Sequence, residues 1–372
     1  MLVDIIAGER STFIKIAPLI EAIQNEQKKG TDISFRFIYI GPHYDKQIGD
    51  LFFQQLDIPR PNINLEIAEG SEAEETAIIM ARYEKVILAA KPELVIVTGD
   101  SISAMACALA AKKVPGTKVA HIGGGIRVNN KNLPEEINRI VTDSIADYYF
   151  TTSHSANEQL RKAGVAEELI FFAGNTLIDT LLKQTPQFTP PPLWQKLQLL
   201  PQRYFVVCLH QPANVDMVTD LKALLISIIQ SSQGFPVIFP VYPRAVKTLE
   251  LIGIRAPNLF TTELLDYNHF HFLMKHAKAV VTDSASIEDE ATVQQVPCMT
   301  LAPYTEHPET AHLGTNEVIG TDHNAIVAAF ARLYNDEWRK GNIPYLWDGK
   351  AAERILAVLR HLQTPYGSIL PL

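Results

Sequence analysis

Short runs of β-branched and other apolar residues alternate along the chain with longer segments of helical period. That is the pattern of a parallel sheet whose strands are joined by helices. In the first half the apolar runs fall at residues 2–7, 34–40, 94–98, 118–122, 148–152 and 169–172. They are nearly continuous rather than alternating, as strands are when helices cover both faces of a sheet. The segment 11–27 places Ile14, Ile16, Leu19, Ile20 and Ile23 toward one side, and 102–112 is almost wholly apolar, which predicts a buried helix. Residues 184–192 then read Gln-Thr-Pro-Gln-Phe-Thr-Pro-Pro-Pro. Proline removes amide donors and fixes φ, so neither a helix nor a central strand passes through this tract. It predicts a linker between a first domain, 1–183, and a second, 193–349. The strand pattern restarts at 204–209, 236–241, 258–262, 279–282 and 297–301, and a last helix is expected over 350–362. The fold class is therefore α/β: two Rossmann-like doubly wound domains, with a ligand expected at strand carboxyl ends in a cleft between them.

A chain of 372 residues exceeds one ordinary core, and 47% hydrophobic residues are enough to build two. The net charge of −8 argues against a nucleic-acid partner, which needs a basic face, but leaves room for a nucleotide held by a few cations. Cys107, Cys208 and Cys298 stand singly in apolar segments. They read as reduced core thiols and point to a cytoplasmic protein. The first residues read as a strand interrupted by Asp4 rather than a signal peptide, and no run approaches the about 18 apolar residues that span a bilayer.

Candidate chemistry lies in the loops that follow strands. Gly8-Glu9-Arg10 leads into a helix carrying Lys15. A strand–glycine–helix junction aims amides and a dipole at an anion, Arg10 offers a bidentate clamp, and Lys15 adds a point charge. A surface salt bridge is the plainer alternative. Asp100, in Thr98-Gly99-Asp100-Ser101, is either a helix cap or a catalytic carboxylate. The three glycines 123–125 permit close approach of a ligand or simply a flexible turn. Pro134-Glu135-Glu136 is good helix-start chemistry, and Glu135 falls on one helical face with Arg139, where a polar pair is possible.

In the second half, Thr282-Asp283-Ser284-Ala285-Ser286 opens a helix and makes a second candidate anion site. Capping explains Asp283 or Ser284, but not the three acids Glu288, Asp289 and Glu290. Glu290 lies near two turns into that helix, where a carboxylate could accept from the two hydroxyls of a ribose. His210 emerges from an apolar strand and is either a satisfied structural residue or part of the cleft. His269, His271 and His276 form no metal pattern, and no metal site is expected. Two anion sites, one per domain, imply a bound diphosphate with a neighbouring sugar.

Taken in order, several motifs resemble the non-hydrolysing UDP-N-acetylglucosamine 2-epimerases. They are Gly8-x-Arg10-x-x-x-x-Lys15-x-Ala17-Pro18, Gly99-Asp100, His121-x-x-x-Gly125-x-Arg127 and Pro134-Glu135-Glu136-x-Asn138-Arg139. Gly174-Asn175-Thr176-x-Ile178-Asp179, Thr282-Asp283-Ser284, Thr305-Glu306-x-Pro308-Glu309 and Asp348-Gly349-Lys350-Ala351-x-Glu353-Arg354-Ile355 continue the match to about residue 360. The resemblance implies a glycosyltransferase-B-like fold whose C-terminal helix, within 350–372, joins the first domain. It implies elimination of UDP to a 2-acetamidoglucal and re-addition with inversion at C2, no cofactor, a UDP-sugar as ligand and a homodimer. By position, Asp100 and Glu135 are the carboxylates near the sugar, and Arg10, Lys15, His210 and Ser284 fall at the diphosphate, His210 being counted with the catalytic groups. Phe270 falls where an aromatic packs on uracil and Glu290 where a carboxylate holds ribose; Arg139, Ala285, Ser286 and His307 complete the expected substrate-binding set.

The chain departs from the family pattern at several of these points. Gly123 stands where the family has an acid/base glutamate, and Ser11-Thr12 replaces Pro-Glu after Arg10. Leu209-His210-Gln211 replaces Gly-His-Arg, Ala285-Ser286 replaces Gly-Gly, His307 replaces an arginine, and Tyr242 stands where a histidine is expected. Gln211 and Tyr242 bear on the family's second, regulatory UDP-sugar site. Two other functions on this scaffold are a UDP-sugar-dependent glycosyltransferase and a UDP-sugar-binding protein without epimerase activity.

Overall fold

Strand β1 (Leu2–Ala7) is buried from Val3 onward and pairs in parallel with a strand on each side, β2 (Ser34–Tyr39) and β4 (Leu94–Thr98). The computed structural model describes residues 1–41, 53–67 and 70–362. The chain divides into a unit of Met1–Lys183 with the segment from Tyr345 onward, and a second unit of Gln184–Pro344. The Pro-rich tract thus belongs to the second unit, and residues 345–349 go with the first.

In the first unit β3 (Ile63–Asn64), β5 (Lys118–Ile122), β6 (Tyr148–Thr151) and β7 (Ile170–Phe172) complete a parallel sheet of order β3-β2-β1-β4-β5-β6-β7. Six of these strands lie within the apolar runs of the sequence. The two-residue β3 was not expected, because so short an edge strand carries no pattern; it is held by pairing Ile38 with Ile63 and Tyr39 with Asn64. On one face Ile6, Ile38, Val95, Val97 and Val119 pack against Ile79, Tyr83 and Ile87 of helix Glu72–Ala90 and the alanines of helix Ile102–Lys112. Asp4, in the middle of β1, is fully buried and stays satisfied: Arg36 on β2 donates at 2.7 and 2.6 Å, and the Tyr83 hydroxyl at 2.9 Å. The C-terminal helix Ala351–Leu362 is capped from outside. Asp179, on helix Thr176–Gln184, accepts from the Ala351 and Ala352 amides at 3.1 and 2.7 Å. Residues 363–372 of the expected C-terminal segment lie outside the described residues.

The second unit repeats the scheme with β8 (Phe205–Cys208), β9 (Val237–Pro240), β10 (Leu259–Thr262), β11 (Ala279–Thr282), β12 (Cys298–Thr300) and β13 (Asn316–Val318), in parallel order β10-β9-β8-β11-β12-β13. Side chains alternate across the sheet. Phe205, Val207, Phe239 and Val281 pack on helices Val218–Ser231 and His323–Tyr334. Val206, Cys208, Ile238 and Val280 pack on helices Tyr267–His276 and Ala285–Gln294. The edge strand β13 was missed for the same reason as β3. In each sheet the chain order reverses beside the first strand, between β1 and β4 and between β8 and β11. Ligands of doubly wound sheets bind at the carboxyl ends of the strands at such a switch point.

Candidate active site

In the first unit the switch point is built by close packing. A side chain at Gly8 would begin 2.5 Å from Ser103 Oγ and 2.7 Å from the Ile40 carbonyl, so only glycine lets β1 end against its neighbours. Helix Arg10–Lys28 starts here. Thr12 Oγ1 accepts from the Gly8 and Glu9 amides at 3.2 and 3.1 Å and donates to the Glu9 carbonyl at 2.6 Å. The two amides that the sequence aimed at an anion are therefore used inside the loop. Arg10 occupies the first helical position, half-buried, and a side chain at Gly99 would begin 3.5 Å from Lys15 Nζ. The Lys15 ammonium therefore lies over the turn that carries Asp100.

The choice between capping and chemistry at Asp100 is decided by its neighbour. Ser101 caps helix Ile102–Lys112, its hydroxyl accepting from the Ala104 amide at 3.2 Å. Asp100 instead forms an ion pair with Arg139 and keeps about a third of its side chain (32%) exposed. Arg139, buried on helix Pro134–Ile145, also meets Glu136 at 3.4 Å. The Glu135–Arg139 pair that the spacing allowed does not form: Glu136 takes that role, and Glu135 stands exposed in the first turn of the helix. Glu136 further accepts from the Val128 and Asn129 amides at 3.2 and 3.1 Å, which makes it the organiser of this loop.

A buried cluster behind Asp100 was not foreseen. His121 points Nε2 at the Gly99 carbonyl, 2.8 Å away, and Nδ1 at Asp143, 2.7 Å away. Asp143 also meets Arg127 at 2.6 Å and accepts from the Gly125 amide at 3.0 Å. Burial pushes its carboxyl up, but the His121 ring, Arg127 and the Gly125 amide outweigh it and hold the group below the ordinary carboxylate range. Of the three glycines, Gly124 and Gly125 are packing devices. At Gly125 (φ +84°) a side chain would begin 2.3 Å from the Ala156 carbonyl. At Gly123 (φ +82°) the space is open, with nothing nearer than 3.8 Å.

In the second unit His210 follows β8, its side chain 37% exposed, and its ring packs on Tyr242 with centroids 5.2 Å apart. Ser284 is the first non-helical residue before helix Ala285–Gln294, its own amide donating to Thr282 Oγ1 at 3.0 Å. Its hydroxyl makes no cap bond. The first amides of a helix have no partner within it, so those of Ala285 and Ser286 face outward with the helix dipole. Phe270 is half-buried, edge-on to His271 at 5.3 Å.

The three acids that capping left unexplained each have a separate buried partner. Glu288 accepts from Thr300 Oγ1 at 2.8 Å and from the Thr305 hydroxyl, and burial pushes it up to about 7 against those bonds. Asp289 meets His307 Nδ1 at 2.5 Å. Burial works against a charged imidazole there, but Asp289 prevails and raises His307 to about 9. Glu290 accepts from the Tyr267 hydroxyl at 3.0 Å and lies 3.1 Å from His271 Nε2. The Gln294 amide, 3.1 Å from His271 Nδ1, donates there and leaves the ring proton on Nε2, facing Glu290. The helix is thus tied to the loop before Pro308 and to helix Tyr267–His276, which sequence spacing did not reveal.

These details sit on a chain whose relatives are known. The family profile described as UDP-N-acetylglucosamine 2-epimerase matches residues 25–360. The chain belongs to the UDP-N-acetylglucosamine 2-epimerase family. The UDP-N-acetylglucosamine 2-epimerase of Methanocaldococcus jannaschii is 32% identical over 97% of this chain and 99% of its own. The UDP-2,3-diacetamido-2,3-dideoxy-D-glucuronate 2-epimerase of Pseudomonas aeruginosa is 31% identical over 96% and 99%. A crystal structure of the M. jannaschii enzyme in complex with UDP-GlcNAc and UDP superposes with a TM-score of 0.87, covering 97% of this chain and all (100%) of that one. The architecture of this 2-epimerase family member is glycosyltransferase-B-like. No helix among the described residues is long and apolar enough to cross a membrane.

Proposed function

We propose that this protein epimerises UDP-N-acetylglucosamine, or a closely related UDP-hexosamine, at C2 by eliminating UDP and re-adding it with inversion. The observation that carries the reading is its end-to-end kinship with 2-epimerases, 32% identity over 97% of the chain. The relative that acts on a 2,3-diacetamido sugar supports a substrate class wider than one hexosamine. Departure of UDP places negative charge on a diphosphate oxygen, and fixed cations lower that barrier. Arg10, Lys15 and His210 supply them, with Ser284 and the Ala285 and Ser286 amides as further donors and Arg139 holding Asp100. Phe270 takes the uracil, Glu290, with Oε1 engaged by Tyr267 and His271, offers Oε2 to the ribose, and His307 keeps the Ser284 helix in place through Asp289. Asp100 and Glu135 carry the proton transfers, because Gly123 has no side chain to do so. No metal or organic cofactor enters the scheme, and the protein works as a cytoplasmic homodimer.

Turnover of UDP-N-acetylglucosamine in heavy water tests the proposal. Deuterium is expected at C2 of the sugar, and Asp100→Asn abolishes its incorporation while UDP still raises the melting temperature, since a neutral amide accepts no proton as a base. Clear stabilisation by UDP with no exchange on any UDP-hexosamine sinks the epimerase reading. Equal stabilisation by UDP and uridine sinks the diphosphate site itself.

A further inference from the structure

Asp283 leaves β11 beside the end of β8, and its carboxylate has no exposed surface (0%). A buried carboxylate is costly unless donors fill its lone pairs. Here the His210 amide reaches Oδ1 at 3.0 Å, while the Gln211 amide and the Asn214 side chain reach Oδ2 at 3.1 and 2.9 Å. One aspartate thus fixes the backbone on both sides of His210. The same Oδ1 lies 3.2 Å from His210 Nδ1, an atom that is itself buried and has no completed hydrogen bond. The line between them is too bent to count as one. The exposed part of the imidazole is therefore its other edge, which carries Nε2, and the Tyr242 ring, tilted 34° to it, restricts how far it swings.

We propose that Asp283 is the positioning residue of His210: it holds the ring proton on Nδ1 and so presents Nε2 as the atom that meets the ligand. A loop that needed only anchoring would be served by the two amides and Asn214; the additional approach to Nδ1 selects a tautomer. The bent contact straightens when a ligand engages Nε2, because bonds of this kind are often poorly aligned in a free protein and tighten in the complex. What Nε2 meets, a diphosphate oxygen to which it donates when the ring is an imidazolium with a proton on each nitrogen, rests on the UDP-sugar reading; the tautomer of the neutral ring does not.

Nitrogen-15 NMR of the full-length protein decides the matter, with the His210 signals assigned by their loss in His210→Gln. At pH above the imidazole titration the wild type is expected to carry its proton on Nδ1, against the Nε2–H preference of an unconstrained histidine. Adding UDP shifts the Nε2 signal. In Asp283→Asn the carboxylate that holds the Nδ1 proton is gone, and the ring returns toward the Nε2–H preference of an unconstrained histidine. Turnover then falls about 10²-fold, the scale of one general acid–base group, while KM for the UDP-sugar moves less than about threefold. An Nε2–H tautomer in the wild type overturns the proposal, and so does an Asp283→Asn enzyme as fast as the wild type. If that variant does not fold, the wild-type tautomer decides alone. A wild type that turns over no UDP-hexosamine defeats the activity reading, and the tautomer with its response to UDP still decides the positioning.

Discussion

The clearest quantitative test concerns Asp179 and the C-terminal helix. Its carboxylate accepts from the Ala351 and Ala352 amides and is 6% exposed. Burial raises its pKa from 3.8 to about 6, although both amides pull the other way. The folded protein therefore holds this proton more tightly than the unfolded chain. Asp179 favours folding most at low pH, and that contribution is lost as pH rises from about 4 through about 6. Two pKa units correspond to about 3 kcal/mol. Asp179→Asn removes the titration, and its single amide oxygen keeps one of the two helix amides. The stability of this variant relative to wild type should therefore climb by about 2.4 kcal/mol between pH 4 and pH 7. Asp179→Ala leaves both helix amides buried without a partner, which costs about 1–3 kcal/mol relative to Asp179→Asn at every pH. Urea unfolding at a series of pH values measures all three proteins. Parallel pH curves for Asp179→Asn and wild type refute the desolvation argument, and an Asp179→Ala protein as stable as Asp179→Asn refutes the cap. Because helix Ala351–Leu362 packs beside helix Arg10–Lys28, through contacts such as Arg360 to Glu26 at 3.2 Å, loss of this cap also loosens the element that carries Arg10 and Lys15.

Two further outcomes are expected. Arg10→Ala removes a charge-assisted contact worth about 1.5–3 kcal/mol, so UDP affinity by calorimetry falls about tenfold or more with little change in melting temperature; an unchanged Kd returns Arg10 to a surface role. Gly125→Ala forces a methyl to within 2.3 Å of the Ala156 carbonyl in a left-handed backbone and costs about 2–5 kcal/mol, whereas Gly123→Ala meets only the backbone strain, about 1 kcal/mol; similar denaturation midpoints for the two contradict the packing described.

The sequence by itself determined the two parallel sheets, because buried parallel strands need continuous apolar runs and those runs are local. It also pointed to the loops after strands, and Arg10, Asp100, His210 and Ser284 each stand just beyond a strand end in the fold. Its reach ended where a side chain's partner is distant in the chain. Whether Asp100 caps a helix or meets a cation depended on Ser101 taking the cap and on Arg139, 39 residues away, arriving beside it. The acids 288–290 look alike in sequence, yet folding sends them to Thr300 and Thr305, to His307, and to Tyr267 with His271. Asp283 reads as a helix cap and becomes the anchor of His210, 73 residues earlier. In each case the cost of burying a charge selects the partner, and only the packed sheet decides which donors are within reach.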